Sequence, residues 1–359
     1  QNQIERRLHA DGEVGFPPGP IYRLCVPFPT VTLHLVDSLP QILVAVIPIY
    51  LLMVVGGGLR RAEVLGPQMD TGLTRLVIHV LYPALILDKI LRAELLRDPQ
   101  VVFWAIGVGF AVIVTGLAVA LVVGRLIGLR KGTGWRSFTV TAGVQNYGYV
   151  AIPLLMVFFP RNESSVLGLL FTHGLGVELG VWTLGMLILR GRPMKSPREL
   201  LSGPMVAVVV GLALVFARID LLVEHSKVAD FVFETLLNLL HWLGLAAFPV
   251  GLLLIGTVIS DLLGEERYSP RVGVGSLVVR MVVMPAVILA LAKFLPIVTE
   301  FKQVLLVQAA MPSAVTPIVY ARHYGADPAA AVHVVLTTSV AAIVTIPVVI
   351  SLGRMWLGL

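Results

Sequence analysis

The stretch Thr141-Ala-Gly-Val-Gln-Asn-Tyr-Gly-Tyr-Val-Ala-Ile-Pro153 puts glycines, two amides and a proline in the middle of an otherwise apolar block. A second stretch, Gln308-Ala-Ala-Met-Pro312-Ser-Ala-Val-Thr-Pro317, does the same near the other end of the chain. Proline removes a backbone donor and frees a carbonyl one turn earlier, so both segments are expected to unwind, near Gly148–Pro153 and Pro312–Pro317. Unwound backbone inside a bilayer must line a cavity or be covered by protein.

The rest of the chain supplies the bilayer. Of 359 residues, 57% are hydrophobic and 13% charged, and the mean hydropathy is +0.90. The apolar residues fall in blocks of about 20, the length a helix needs to cross the hydrocarbon layer. The alternating pattern of a membrane β-barrel is absent. The reading is an all-α polytopic membrane protein with ten transmembrane helices, over 39–58, 73–91, 101–124, 135–159, 165–189, 204–222, 233–260, 270–295, 303–324 and 329–352.

One cysteine, Cys25, provides no disulfide framework, and no Cys/His cluster has metal-ligand spacing, so redox and zinc chemistry are not expected. The net charge of +6 lies in short loops between spans, where positive charge sets membrane orientation, and nucleic acid is not an expected partner. The distribution of Lys and Arg favours a multi-pass protein of the cell membrane with both termini outside. Asn162-Glu163-Ser164 would then face outward as a formal glycosylation sequon, a triplet that chance also produces. Residues 1–37 are expected to be an N-terminal tail or an upstream remnant. A first set of five helices would occupy 38–190, a short basic cytosolic loop 191–203, a second set 204–352, and a C-terminal tail 353–359. An odd number of crossings per set inverts the second against the first. Pro83 and Pro153 are 70 residues apart and Pro249 and Pro317 68 apart, a faint echo of such a repeat.

Interrupted helices at matching positions of two halves point to a transporter's substrate site, because half-helix N-termini offer free N–H groups to an anion. A plain proline kink would leave the same signature in either segment alone. Asn146 can donate to a carboxylate, and Gln145, Ser313 and Thr316 could complete the site or instead cap freed backbone. The candidate substrate-binding set is Gln145, Asn146, Gly148, Tyr149, Pro153, Glu178, Pro312, Ser313, Thr316 and Pro317. Glu178, in Gly176-Val-Glu-Leu-Gly-Val-Trp182, is costly inside a membrane unless paired, protonated or wetted; it fits a proton-binding group or a structural hydrogen bond. Arg280 could pair with Glu178, attract an anion, or snorkel to the interface. His79, His173, His241 and His333 are scattered singly and are expected in the core or at interfaces.

At these residues the sequence resembles the auxin efflux carrier family. The resemblance runs over most of 39–352: Val46-Ile-Pro-Ile-Tyr-Leu-Leu-Met53 is similar to the family's first span, Leu81-Tyr-Pro-Ala-Leu-Ile86 to its second, and Asn146 seven residues before Pro153 to its fourth. Gln308-Ala-Ala-Met-Pro312, Thr316-Pro317, Tyr320-Ala-Arg-His-Tyr324 and Asp327-Pro328 resemble the ninth and the entry to the tenth, and Arg280 five residues before Pro285 resembles the eighth. The resemblance implies two inverted five-helix repeats whose broken helices 4 and 9 cross beneath the substrate, a homodimer, and elevator-like alternating access. It implies a small organic anion as substrate and no cofactor beyond a possible coupling ion, H+ or Na+. Two features depart from the plant carriers: the loop between spans five and six is short, and Glu178 replaces a glutamine four residues before the tryptophan. The acid argues against auxin itself and for proton coupling. A sodium-coupled symporter of the bile-acid type and a non-transporting ligand sensor are the alternatives, while the motifs of an intramembrane enzyme are missing.

Overall fold

The computed structural model describes residues 39–130, 132–192, 202–224, 226–262 and 269–359. The expected tail at 1–37, with Cys25, and most of the expected loop at 191–203 lie outside the described residues.

The described chain is helical. Helix α1 spans Leu39–Arg61; α2 covers 67–91, with a π-helical turn at Val77–Leu81; α3 spans Pro99–Leu126. Two short helices follow, α4 at Trp135–Gly143 and α5 at Ala151–Phe158, and then α6 over Pro160–Arg190. The second part holds α7 (Gly203–Phe216), α8 (Lys227–Asp261) and α9 (Pro270–Phe294). Two more short helices, α10 at Thr299–Ala309 and α11 at Thr316–His323, precede α12 at Pro328–Leu357. Among the described residues there is no strand. Helices α3, α6, α8, α9 and α12 are each long and apolar enough to cross a membrane. Their outward faces carry bare apolar side chains such as Phe103, Leu126, Phe231 and Trp242. Lipid is the solvent that makes such faces inexpensive.

Local chemistry sets the boundaries. Asp98 accepts from the Gln100 N–H at 2.8 Å ahead of Pro99, and Asp327 from Ala330 N–H at 3.3 Å ahead of Pro328. Each is a side-chain cap on a helix whose proline occupies the first position, where no donor is needed. Gly191, at φ 71°, ends α6 in the left-handed region. The span expected at 204–222 stops at Phe216: Arg218 adopts φ 52°, and a separate short helix runs over Ile219–Glu224. The segment expected as a C-terminal tail is mostly helix to Leu357, because Gly353 and Arg354 are buried and Lys293 Nζ donates to the Trp356 carbonyl at 2.8 Å.

Two packed sets emerge. Helices α1, α2, α7 and α8 pack on one another, and α3–α6 pack with α9–α12. Backbone approaches side-chain distance along α1 and α8, where a methyl on Gly56 would strike the Leu253 carbonyl. Such small-residue contacts replace the hydrophobic driving force that lipid cancels between membrane helices. Ion pairs also knit the first set: Arg60 bonds Asp70 at 2.7 Å and Asp261 at 2.6 Å, and buried Asp88 takes Lys89, Arg92 and His241, each at 3.0 Å. Lys89 also reaches Glu163 at 2.8 Å, so α2 is tied to the start of α6.

Candidate functional site

The interruption between α4 and α5 meets the one between α10 and α11. Val144 is extended after Gly143, and so the chain leaves α4 as a short strand-like segment. Asn146 N–H donates to the Pro312 carbonyl at 2.8 Å and Ala314 N–H to the Val144 carbonyl at 2.9 Å, closing an isolated antiparallel bridge between Gln145 and Ser313. The two breaks thus satisfy each other's freed backbone, as a low-dielectric interior requires.

The breaks differ in extent from the sequence expectation. They run over 144–150 and 310–315, while Pro153 and Pro317 lie inside the first turns of α5 and α11. A proline in a helix's first turn forfeits no intrahelical bond, so these two prolines start the second half-helices rather than sit in the unwound segments. Pro312 alone is in its break.

Further side chains brace the crossing. Gln308 Nε2 donates to the Tyr147 carbonyl at 3.0 Å, Ser313 N–H to Thr338 Oγ1 at 3.2 Å, and Arg280 Nη2 to the Met311 carbonyl at 3.2 Å. Arg280 stands on a π-helical turn at Val278–Val283 and is fully buried. It neither reaches the interface nor forms an ion pair with Glu178: its cation lies just past the C-terminus of α10, where a helix dipole favours positive charge.

Glu178 belongs to the same assembly by another route. Its Oε1 accepts from Tyr147 Oη at 2.6 Å and its Oε2 from Trp182 Nε1 at 2.9 Å. The Trp182 ring lies 5.4 Å from that of Tyr320 on α11. A half-buried carboxyl is therefore enclosed by aromatic groups from the first break, α6 and α11. The other candidates separate. Gln145, Asn146, Pro312 and Ser313 are buried in the crossing, whereas Thr316 is exposed and caps nothing. Gly148 faces Tyr82 Oη, and the Tyr149 ring packs against that of Tyr82, tilted by 51° with centroids 5.4 Å apart, while covering Gly251 of α8.

The family described as "Membrane transport protein" matches residues 41–199 and 194–350. The chain belongs to that family, which is that of the auxin efflux carriers. No curated protein matches it.

For a membrane transport protein, several of the residues at the crossing escaped sequence reasoning. Tyr147 lies inside the quoted Gln-Asn-Tyr-Gly-Tyr segment, yet nothing in spacing links it to an acid 31 residues later. Gln308 opens the second quoted stretch and could have been flagged as its counterpart. The π-helical turns that carry Arg280 and begin beside Trp182 have no sequence signature, although such turns gather at functional sites.

Proposed function

We propose that this membrane transport protein is a ten-span secondary transporter of a small organic anion, with two inverted five-helix repeats whose fourth and ninth spans are the pairs α4–α5 and α10–α11. The observation that carries the reading is the bridge between Gln145 and Ser313, which joins the two broken helices at one buried crossing. From it α5 and α11 lead away, each beginning within a few residues of the bridge, so that the positive ends of both half-helices are turned toward the crossing. An anion held there by Asn146 would sit beside Tyr147, and through it Glu178. Protonated, Glu178 donates to the anion; deprotonated, it repels it.

The two packed sets support elevator-like alternating access, with α1, α2, α7 and α8 as the fixed set and the remaining helices carrying the crossing. The protein would work as a homodimer in the cell membrane with both termini outside. Glu178, the acid held by Tyr147 and Trp182, makes a proton the coupling ion of this reading. Mono- and dicarboxylates of amphipathic or polar type are the substrate class.

The test is uptake by purified protein in liposomes, using radiolabelled mono- and dicarboxylates under a pH gradient, a sodium gradient or neither. Saturable flux driven by the pH gradient and lost in Asn146→Ala supports the reading. Flux that needs sodium would make it a symporter of the bile-acid type, and saturable binding with no flux would make it a ligand sensor.

A further inference from the structure

Lys89 is one cation between two acids that belong to different sets of helices. Its Nζ lies 3.0 Å from Asp88 on its own helix α2 and 2.8 Å from Glu163 at the start of α6. Asp88 is fully buried and is also held by Arg92 and His241, so all its ion partners come from α2 and α8. Glu163 is 27% exposed and has Lys89 as its one ion partner among the described residues. Of the ion pairs between described residues, this one alone runs from a helix of the α1, α2, α7, α8 set to a helix of the other set; Arg97 and Asp220, 2.7 Å apart, join two connecting segments.

Breaking a buried ion pair is strongly destabilising when it strands a charge away from water. Here neither charge would be stranded. Lys89, with a side chain only 4% exposed, keeps Asp88 beside it and stays neutralised within α2. Glu163 turns to water and remains in the first turn of a helix, where the backbone dipole favours an anion. The neighbouring contact is equally easy to part: further along α6, Gly168 faces the apolar side chains of Ala93 and Leu96. A hydrogen bond that also joins the sets, from Tyr50 Oη on α1 to the Ser339 carbonyl on α12 at 3.1 Å, ends on a carbonyl inside a helix, which keeps its helical partner when the tyrosine leaves.

We infer that Lys89 and Glu163 form a releasable latch between the two sets, closed in this structure and open when one set shifts against the other. The inference rests on the alternating-access reading above and adds to it the contact that holds this arrangement. Because release leaves each charge with a partner or with water, the pair sets how the two arrangements are populated while the stability of the fold hardly depends on it.

The experiment is single-molecule energy transfer in the full-length protein in liposomes, with Cys25→Ser and dyes on Gln68→Cys in α2 and Arg130→Cys after α3. Both sites are exposed and lie at the far ends of their helices from the pair, and other copies of the chain are left unlabelled. The otherwise native protein should show one main distance and a second, less populated one. In Glu163→Gln the second should gain roughly two- to fivefold over the first, the effect of one partly exposed ion pair, with the melting midpoint nearly unchanged. Glu163→Asp, which keeps the charge on a shorter stem, should fall between the two. Glu300→Gln, which removes an acid from the first turn of α10 that has no ion partner among the described residues, should leave the ratio as it is. A ratio unchanged in Glu163→Gln, or raised as much by Glu300→Gln, overturns the latch and leaves alternating access standing. A single distance in every variant, Glu163→Gln included, overturns both.

Discussion

Tyr147 Oη donates to Glu178 Oε1 at 2.6 Å, which couples the first helix break to the acid at the middle of α6. Any change at the crossing that turns Tyr147 also alters how Glu178 is held, and the reverse. In the proposed mechanism the residue pair is the link through which protonation and binding would act on each other.

Glu178→Gln should abolish the pH dependence of flux. Under the proposed mechanism the deprotonated acid repels the anion, so affinity falls as pH rises. The amide oxygen can still accept from Trp182 while its NH2 donates to the Tyr147 hydroxyl, and the group carries no charge at any pH. Initial uptake rates at saturating and limiting substrate, from acid to alkaline pH, provide the check; a pH profile identical to that of the native protein would remove Glu178 from coupling.

Tyr147→Phe should leave one Glu178 oxygen short of a donor and destabilise the fold by about 1–3 kcal/mol, the cost of an unsatisfied buried polar group. Trp182 still holds the other oxygen at 2.9 Å, so the protein should fold. Unfolding midpoints of the variant and of Tyr147→Phe/Glu178→Gln test the coupling: the double variant should lose less than the sum of the two.

Asn146→Ala should reduce substrate affinity by roughly tenfold or more, because one neutral donor to a charged ligand is lost at a buried position. The backbone bond from Asn146 N–H to Pro312 does not depend on the side chain, so stability should change little. Equilibrium binding and the melting midpoint, measured on one preparation, separate the two effects.

Gly56→Ala should destabilise by about 1–3 kcal/mol, as a forced overpacking does, since the added methyl meets the Leu253 backbone rather than a side chain that can rotate away. Gly58→Ala, where nothing lies in the path of the methyl, is the matched control. A midpoint for Gly56→Ala equal to that of Gly58→Ala would mean that α1 and α8 are less tightly apposed.

Glu163→Gln and Lys89→Met should differ. Glu163 is partly exposed and can hydrate, so its loss should cost little. Lys89 is nearly enclosed between Asp88 and Glu163, and removing it leaves Asp88 only Arg92 and His241. About 1–3 kcal/mol should go with it, read as a shift in the midpoint of unfolding.

Much of the fold was legible because membrane helices write their length directly into composition. The helix at Pro99–Leu126 sits within two residues of the block expected at 101–124, and both interrupted segments were visible as glycine, proline and amides inside apolar runs. The ends of the breaks were not, because a proline reads the same whether it disrupts a helix or begins one. Pro153 and Pro317 took the second role. The partners of Glu178 and Arg280 were also hidden: Arg280 meets a backbone carbonyl, and carbonyls are the same in every residue, so no sequence pattern could have singled out Met311. Legibility ended where contacts depend on how separate segments of the chain fold against one another.

The Tyr82 hydroxyl and one edge of the Tyr149 ring press on bare glycine backbone, at Gly148 and Gly251, where α2 and α8 face the segment that follows the crossing. A glycine at such a contact offers no side chain to interlock with the phenol. Side chains packed knob into hole must be pulled apart before either surface can travel; under the proposed alternating access, a smooth bearing of this kind would let one group of helices glide over the other while the pair stays in contact. A single methyl at Gly148 or Gly251 would act there as a detent.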